Sequence, residues 1–182
     1  QLGLLEQGRP SENQFLTPKA WYSKKFKTIE HIAVQNPPET PTYPDQFDDE
    51  IYGDGKEENL HQLGNLTLLE NETNAGLPSE WRPKVGYFWY LTRDSSVADE
   101  TSTQNMLSIL GIRRADIVVK IPKHARKSDR LGHLDSIVQY GLAQNNWTKE
   151  FIKKRSKHLC ERIYDLVEEW LWDLSGVEYI DY

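Results

Sequence analysis

Two short β-prone runs that carry polar residues constrain this chain more than any other feature of its sequence. The first, Thr28–Gln35, reads TIEHIAVQ, and the second, His61–Leu69, reads HQLGNLTLL. An unpaired polar group buried in an apolar frame costs about 1–3 kcal/mol, so histidine, glutamate and asparagine need partners or a function there. The two runs therefore predict a small sheet with a polar site at a strand end.

The order of residues in these runs predicts how the site is built. Side chains alternate between the two faces of a strand, so Glu30 and His31 point to opposite faces and share a site only where the backbone turns. Gly64 and Asn65 are turn-forming residues placed before the second strand. The polar segment 70–76 that follows predicts a short helix. The expected order is strand, loop, strand and short helix.

This layout resembles the HNH, or ββα-metal, endonuclease motif, and in particular the C-terminal nuclease domain of GmrSD-type modification-dependent restriction enzymes. Members of that family typically carry an IEHIxxQ run, then an HxxGNLTLL run, then an asparagine on the next helix. In this chain that asparagine is Asn74, nine positions after Asn65. The run WTxxxIxxR, which begins at Trp147, resembles the helical tail of the same family. The resemblance covers residues near 28–75 and 147–170.

The resemblance implies a role for each site residue. His31 would be the general base that takes a proton from water. If its pKa is near the reference value of about 6.5, the rate should rise with pH below that value and then flatten. Glu30 and Asn74 would hold one Mg²⁺ or Mn²⁺ ion through oxygen atoms, which suit hard cations. Asn65 would fix the loop between the strands and so orient His31. His61 would hydrogen-bond the loop or orient the site. The substrate would be DNA, cut one strand at a time.

Other interpretations of the same residues stay open. Adjacent Glu30 and His31 could form a hydrogen-bonded structural pair, and the domain could be a degenerate, non-cleaving module that docks nucleic acid or protein. It could also be an HNH-type toxin effector, which an adjacent immunity partner would indicate. A zinc site made of His31, His61 and Cys160 is disfavoured because it lacks the close ligand spacing of such sites.

The chain departs from the family pattern in two places. HNH proteins often have a lysine two or three positions after the helix asparagine, but Gly76 and Leu77 stand there, and the next lysine is Lys84. The DGQQR run of the family's nucleotide-using N-terminal domain is missing. We therefore expect a nuclease domain excised from a larger protein, with a separate N-terminal domain or subunit that uses nucleotide and senses DNA modification.

Charge is the main compositional objection to DNA binding. The 182 residues carry a formal net charge of −6, which is unfavourable near phosphates. The charges are segregated, however: segment 39–58 has eight acidic residues and one lysine, whereas segment 113–130 has seven basic residues and two aspartates. A basic DNA-binding face is predicted from this segment and the C-terminal helix. Its candidate residues are Arg113, Arg114, Lys123, Arg126, Lys127, Lys153 and Arg155.

Length and hydropathy indicate one soluble domain spanning 1–182. The chain is long enough to bury one substantial core, and no apolar stretch approaches the roughly 18–20 residues of a membrane span. A single cysteine, Cys160, forms no internal disulfide, so a cytoplasmic location is expected. The expected fold class is α+β, a mostly helical domain with an embedded ββα-metal (HNH) motif. The motif would occupy about 27–77 and the helical remainder 78–182.

Apolar spacing predicts several further elements. A C-terminal helix capped by Asn146 or Thr148 is the clearest of them. Other helices are expected within 1–27, over the aromatic-rich segment 77–92, over 103–111 and over 131–142. Two segments are expected to be non-helical: the acidic stretch after the prolines, up to residue 58, as an exposed loop, and Asp116–Ile121 as a strand or extended segment.

Overall fold

A two-stranded sheet set among helices forms the architecture. The computed structural model describes residues 28–43, 46–69, 71–92, 100–118 and 134–174. Strands β1 (Thr28–His31) and β2 (Leu66–Leu69) pair in antiparallel fashion, and a 3₁₀-helical turn (Leu63–Asn65) leads into β2. The helices of the described residues are α1 (Asp49–Tyr52), α2 (Lys56–His61), α3 (Asn71–Ala75), α4 (Trp81–Thr92), α5 (Glu100–Leu110), α6 (Ala115–Val118), α7 (Asp135–Ala143) and α8 (Lys149–Leu174).

This architecture confirms the predicted α+β fold class with a mostly helical composition. The order β1, β2, α3 also matches the strand, strand, short helix order expected from the two sequence runs. The helix predicted within 1–27 lies outside the described residues. No helix in the described ranges is long and apolar enough to cross a membrane.

The sheet has one buried face and one exposed face. Glu30 pairs across the sheet with Thr67, which is only 5% exposed. The opposite face carries His31 together with Ile29 and Leu68, which are exposed by 57% and 58%. Glu30 and His31 therefore lie on opposite faces, as the alternation predicts.

Helix α4 is the centre of the core. Its sequence is apolar nearly all the way round, and a helix of that kind is stable only when it is buried. A Cβ atom on Gly86 of α4 would lie 2.4 Å from Ile117 of α6, and one on Gly141 of α7 would lie 2.4 Å from Val85 of α4. The two glycines thus allow neighbouring helices to approach closely. The prediction of a buried helix is confirmed over Trp81–Thr92, whereas residues 77–80 of the predicted range are not helical.

Helix α8 brings the C-terminal tail onto the loop of the two-strand motif. Thr148 caps it, because its hydroxyl oxygen accepts the N–H of Phe151 at 3.1 Å. The first half of α8 packs against the 3₁₀-helical turn. A Cβ atom on Gly64 would lie 2.0 Å from the carbonyl oxygen of Ile152, so only glycine permits this contact. This packing joins the two segments that carry the family resemblance, near residues 28–75 and 147–170, into one structural unit.

The prediction of an exposed loop over the acidic stretch is wrong. Helices α1 and α2 form there, and Ile51 and Leu60 are fully buried. The carboxylate of Asp48 accepts the N–H of Glu50 at 3.0 Å and so caps α1. The acidic residues within these two helices are exposed, whereas their apolar residues Ile51 and Leu60 join the core; the exposed acids are Asp49, Glu50, Glu57 and Glu58.

The strand predicted over 116–121 is also wrong where the structure describes it. Residues 115–118 instead form α6. The Asp116 carboxylate stabilises the start of this helix, because it accepts one hydrogen bond from the backbone N–H of Arg113 at 3.0 Å and another from the guanidinium of Arg113 at 2.9 Å. Buried Ile117 then packs against α4. The rest of that predicted strand lies outside the described residues.

The Asp116 cluster predicts a pH-dependent contribution to stability. Hydrogen bonds from Arg113 lower the pKa of Asp116 to about 2, against about 3.9 in an unfolded chain. A lowered carboxyl pKa stabilises the fold above the unfolded value, and this contribution is lost as the pH falls through about 2. Allowing for water around the pair, Asp116→Asn should lower the free energy of unfolding by about 1–2 kcal/mol at pH 7. Urea unfolding from pH 7 to pH 2 checks this. A difference that does not shrink below pH 4 would contradict it.

Candidate functional site

His31, the last residue of β1, faces a second histidine. Its Nε2 atom lies 3.2 Å from Nδ1 of His61, the last residue of α2, with the ring planes 80° apart. On the far side of this second ring, Nε2 of His61 lies 3.4 Å from the carboxylate of Glu57, one helical turn earlier. His61 was expected to bind the loop or orient the site, and the structure places it against the candidate base itself.

The surroundings of His31 favour its neutral form. Burial lowers the pKa of His31, and positive charge on His61 and Lys84 lowers it further. The carboxylates of Glu30 and Glu57 act in the opposite direction without reversing the shift. The condition of a pKa near the reference value is therefore not met, because the pKa of His31 is lower. A neutral imidazole is the form that accepts a proton.

Asn65 is fully buried and binds the chain directly after His31. Its Oδ1 atom accepts the N–H of Ala33 at 2.8 Å and the indole N–H of Trp147 at 3.1 Å. Its Nδ2 atom donates to the carbonyl oxygens of Ala33 at 3.2 Å and Leu60 at 2.9 Å. These four hydrogen bonds fix the end of β1 relative to α2 and α8. The amide is placed where the family resemblance expects it, and its part in catalysis stays a prediction.

Lys84 is the site residue that the sequence analysis did not assign. Its side chain is fully buried, and its Nζ atom donates to Oε1 of Glu30 at 2.6 Å and to the carbonyl oxygens of His31 at 3.0 Å and Ile32 at 3.2 Å. Burial lowers the pKa of Lys84, whereas the neighbouring carboxylate raises it. A lysine inside the otherwise apolar run of α4 was the sequence signal that could have identified it.

Asn74 lies on α3, which packs against β1. Its Oδ1 atom is buried and has no hydrogen-bond partner among the described residues, and the same holds for the hydroxyl oxygen of Thr67. Thr67 is the cross-strand neighbour of Glu30. Buried oxygen atoms without a partner are costly, so they need an explanation such as a bound water or ion.

Two oxygen donors on β1 and α3 are candidates for binding a hard divalent cation that takes most of its ligands from water or substrate. The unpaired oxygen of Asn74 is one candidate ligand, and Glu30 is another, because its contact with Lys84 uses only one carboxylate oxygen. Mg²⁺ commonly binds through one or two protein oxygens plus waters and phosphate. No group of three or more His, Cys, Asp or Glu residues in the described part of the chain could form a denser metal site.

Arg155 is placed inside the fold and not on a DNA-facing surface. It is only 8% exposed, and its Nη1 atom donates to the carbonyl oxygens of Gly64 at 2.7 Å and Leu66 at 3.1 Å. The guanidinium therefore joins α8 to the turn before β2. This placement contradicts the expectation that Arg155 contacts phosphate, because the side chain is buried and its Nη1 atom donates to backbone carbonyl oxygens.

The other basic candidates differ in placement. Arg113 and Arg114 are exposed but form ion pairs with Asp116 at 2.9 Å and with Glu100 at 2.8 Å. Lys153 is exposed on α8. The remaining predicted DNA contacts lie outside the described residues; they are Lys123, Arg126 and Lys127.

Comparison with known protein families gives a match over most of the chain. A family model described as "GmrSD restriction endonucleases, C-terminal domain" matches residues 4–162. No curated protein and no solved structure matches the chain. The family match spans the two sequence runs, both strands, α3 and the first half of α8.

Proposed function

Because the chain belongs to the family of GmrSD restriction endonuclease C-terminal domains, we propose that it hydrolyses phosphodiester bonds of DNA with one divalent metal ion and His31 as the general base. The observation that carries the proposal is the fixed position of His31 at the end of β1. Its backbone carbonyl binds buried Lys84, and the next residues bind buried Asn65. A general base needs this kind of support to stay within reach of its proton.

The reaction can be written with the residues of this chain. A neutral His31 takes a proton from a water molecule, and the water oxygen forms a bond to phosphorus. The bond between phosphorus and the 3′ oxygen breaks, and that oxygen leaves with the electron pair and is protonated from solvent. A bound divalent ion would neutralise the negative charge that develops on the phosphate and the leaving oxygen.

Glu30 and Asn74 are the proposed ligands of that ion. Lys84 holds Glu30 through one carboxylate oxygen and so fixes the direction of the other. The ammonium also places a positive charge beside the proposed ion, which reduces the attraction of Glu30 for a cation. We therefore expect weak metal binding that is strengthened when the phosphate of the substrate supplies further oxygen ligands.

Titration of Mn²⁺ against the rate of plasmid nicking tests the metal site. Glu30→Gln and Asn74→Ala should each reduce activity more at low than at high Mn²⁺ concentration, because loss of a ligand lowers metal affinity first. Asn71→Ala, an exposed asparagine on the same helix, is the matched control and should follow the wild type. Losses that are equal at every Mn²⁺ concentration would assign Glu30 and Asn74 a structural role. Failure of the wild type to nick DNA with Mg²⁺ or Mn²⁺, with EDTA as the blank, would reject the nuclease proposal.

Binding of DNA is proposed to use exposed cations outside the acidic helices. Lys153 is exposed and not packed into the fold as Arg155 is. Arg113 and Arg114 could bind phosphate only in competition with their ion-pair partners, which are Asp116 and Glu100 respectively. An N-terminal domain or subunit that uses nucleotide and senses modification is a proposed partner. A cytoplasmic setting is part of the same proposal.

One observation supports the alternative of a non-cleaving module. The ion pair between Lys84 and Glu30 already neutralises the only carboxylate of the proposed metal site. If the pair is purely structural, the domain would bind DNA or protein without metal-dependent nicking. The nicking assay with and without EDTA separates the two functions.

A further inference from the structure

His61 lies between the candidate base and a carboxylate, and its two ring nitrogens have different neighbours. Nδ1 lies 3.2 Å from Nε2 of His31, and Nε2 lies 3.4 Å from Oε2 of Glu57. The three side chains thus form a row that starts at the helix surface and ends at the strand. Side-chain exposure falls toward the strand: Glu57 is 79% exposed, His61 is 51% exposed and His31 is partly buried.

Two arrangements of protons satisfy the contact between the histidines. In the first, Nε2–H of His31 donates to Nδ1 of His61, whose own proton is then on Nε2. In the second, Nδ1–H of His61 donates to Nε2 of His31, which leaves the proton of His31 on Nδ1. Each neutral imidazole has one N–H donor and one acceptor nitrogen, so the choice at one ring determines the choice at the other.

Glu57 decides between these arrangements. An ionised carboxylate only accepts hydrogen bonds, so it favours a proton on the facing Nε2 atom of His61. The second arrangement would place a nitrogen lone pair against the carboxylate, which is repulsive. Glu57 therefore favours the first arrangement, which leaves Nδ1 of His31 unprotonated.

We infer that Glu57 and His61 are positioning residues that set the tautomer of His31, so that Nδ1 is the atom that accepts the proton from the attacking water. The inference rests on the proposed function of His31 as general base. The arrangement follows the general rule that a base is held in one tautomer by the hydrogen bond on its other nitrogen. The carboxylate of Glu57 would also stabilise the positive charge that His31 acquires with the proton.

Nitrogen NMR of the histidine rings tests the tautomers without any cleavage. In metal-free protein at a pH where both histidines are neutral, the inference expects His31 and His61 to carry their protons on Nε2. Glu57→Gln should introduce a population with the proton of His61 on Nδ1, because a glutamine amide can donate to Nε2. Glu58→Gln, which removes an exposed charge from the neighbouring position of α2, should leave both tautomers unchanged. A proton on Nδ1 of His31 in the wild type would overturn the inference.

The nicking rate tests whether the tautomer matters. His61→Leu should reduce kcat about tenfold with little change in KM, since loss of a residue that orients a functional group typically costs 10- to 100-fold. His61→Gln retains an oxygen that accepts Nε2–H of His31 and should recover most of the lost rate. Glu57→Gln should reduce kcat less than His61→Leu, and Glu58→Gln should match the wild type.

The outcomes separate this inference from the proposed function. If His31→Ala abolishes nicking but His61→Leu and Glu57→Gln keep the wild-type kcat, the positioning role is rejected and the base assignment stands. If His61→Gln is as slow as His61→Leu, the acceptor role of His61 is rejected. If the wild type does not nick DNA, the proposed function fails, while the NMR spectra still confirm or reject the tautomers.

Discussion

Replacement of His31 by alanine is expected to lower the rate of metal-dependent DNA nicking by at least about 100-fold, because general-base catalysis typically contributes 10²- to 10⁴-fold. The fold should persist, since the side chain is only partly buried and the anchors at the end of β1 are backbone contacts to Lys84 and side-chain contacts of Asn65. Single-turnover nicking at saturating Mn²⁺, together with the melting temperature, measures both effects.

A second histidine provides the control for this prediction. His158 is exposed on α8, and His158→Ala should nick DNA at the wild-type rate. The same variant also shows whether losing any surface histidine that binds metal nonspecifically is enough to change the nicking rate. A His31→Ala protein that keeps its melting temperature and nicks within a factor of two of the wild type would show that His31 is not the base.

Replacement of Lys84 by methionine is expected to cause the largest loss of stability, about 3 kcal/mol. Methionine fills similar volume but leaves the Glu30 carboxylate and two backbone carbonyls without their donor. Removal of one partner of a buried ion pair typically costs 3–5 kcal/mol, and the 17% exposure of Glu30 places the expected loss at the low end. For a domain of this size that corresponds to a fall in melting temperature of roughly 6–12 °C.

An exposed lysine–glutamate ion pair with nearly the same N–O distance as the Lys84–Glu30 pair serves as the matched control. Lys154 lies 2.7 Å from Glu150, but both side chains are at least 70% exposed. Lys154→Met should leave the free energy of unfolding close to that of the wild type, because water already screens and solvates the pair. The double variant Lys84→Met with Glu30→Gln should be more stable than Lys84→Met alone, since no uncompensated charge remains. Equal destabilisation by the two lysine variants would show that burial of Lys84 has no energetic consequence.

The local sequence pattern was sufficient to predict the two strands and which of their side chains share a face of the sheet. The alternation in Thr28–His31 and Leu66–Leu69 predicted which side chains share a face, because the period of a strand is set by backbone geometry alone. The apolar run of α4 and the cap at Thr148 were likewise readable, since burial and capping depend on neighbouring residues. The same local reasoning failed for α1, α2 and α6, whose short helices are stabilised by core contacts of Ile51, Leu60 and Ile117.

The sequence by itself determined the chemistry available at the end of β1: a glutamate beside a histidine, two asparagines at the family spacing, and a second histidine before the turn. Tertiary structure alone decided how those groups are used. Packing of α4 against β1 put Lys84 on Glu30, and packing of α8 put Arg155 on the turn and took it away from solvent. Folding of α2 set His61 against His31. These pairings join residues 30 to 91 positions apart. No local periodicity encodes them, because they depend on how buried charges and donors find partners once the core has formed.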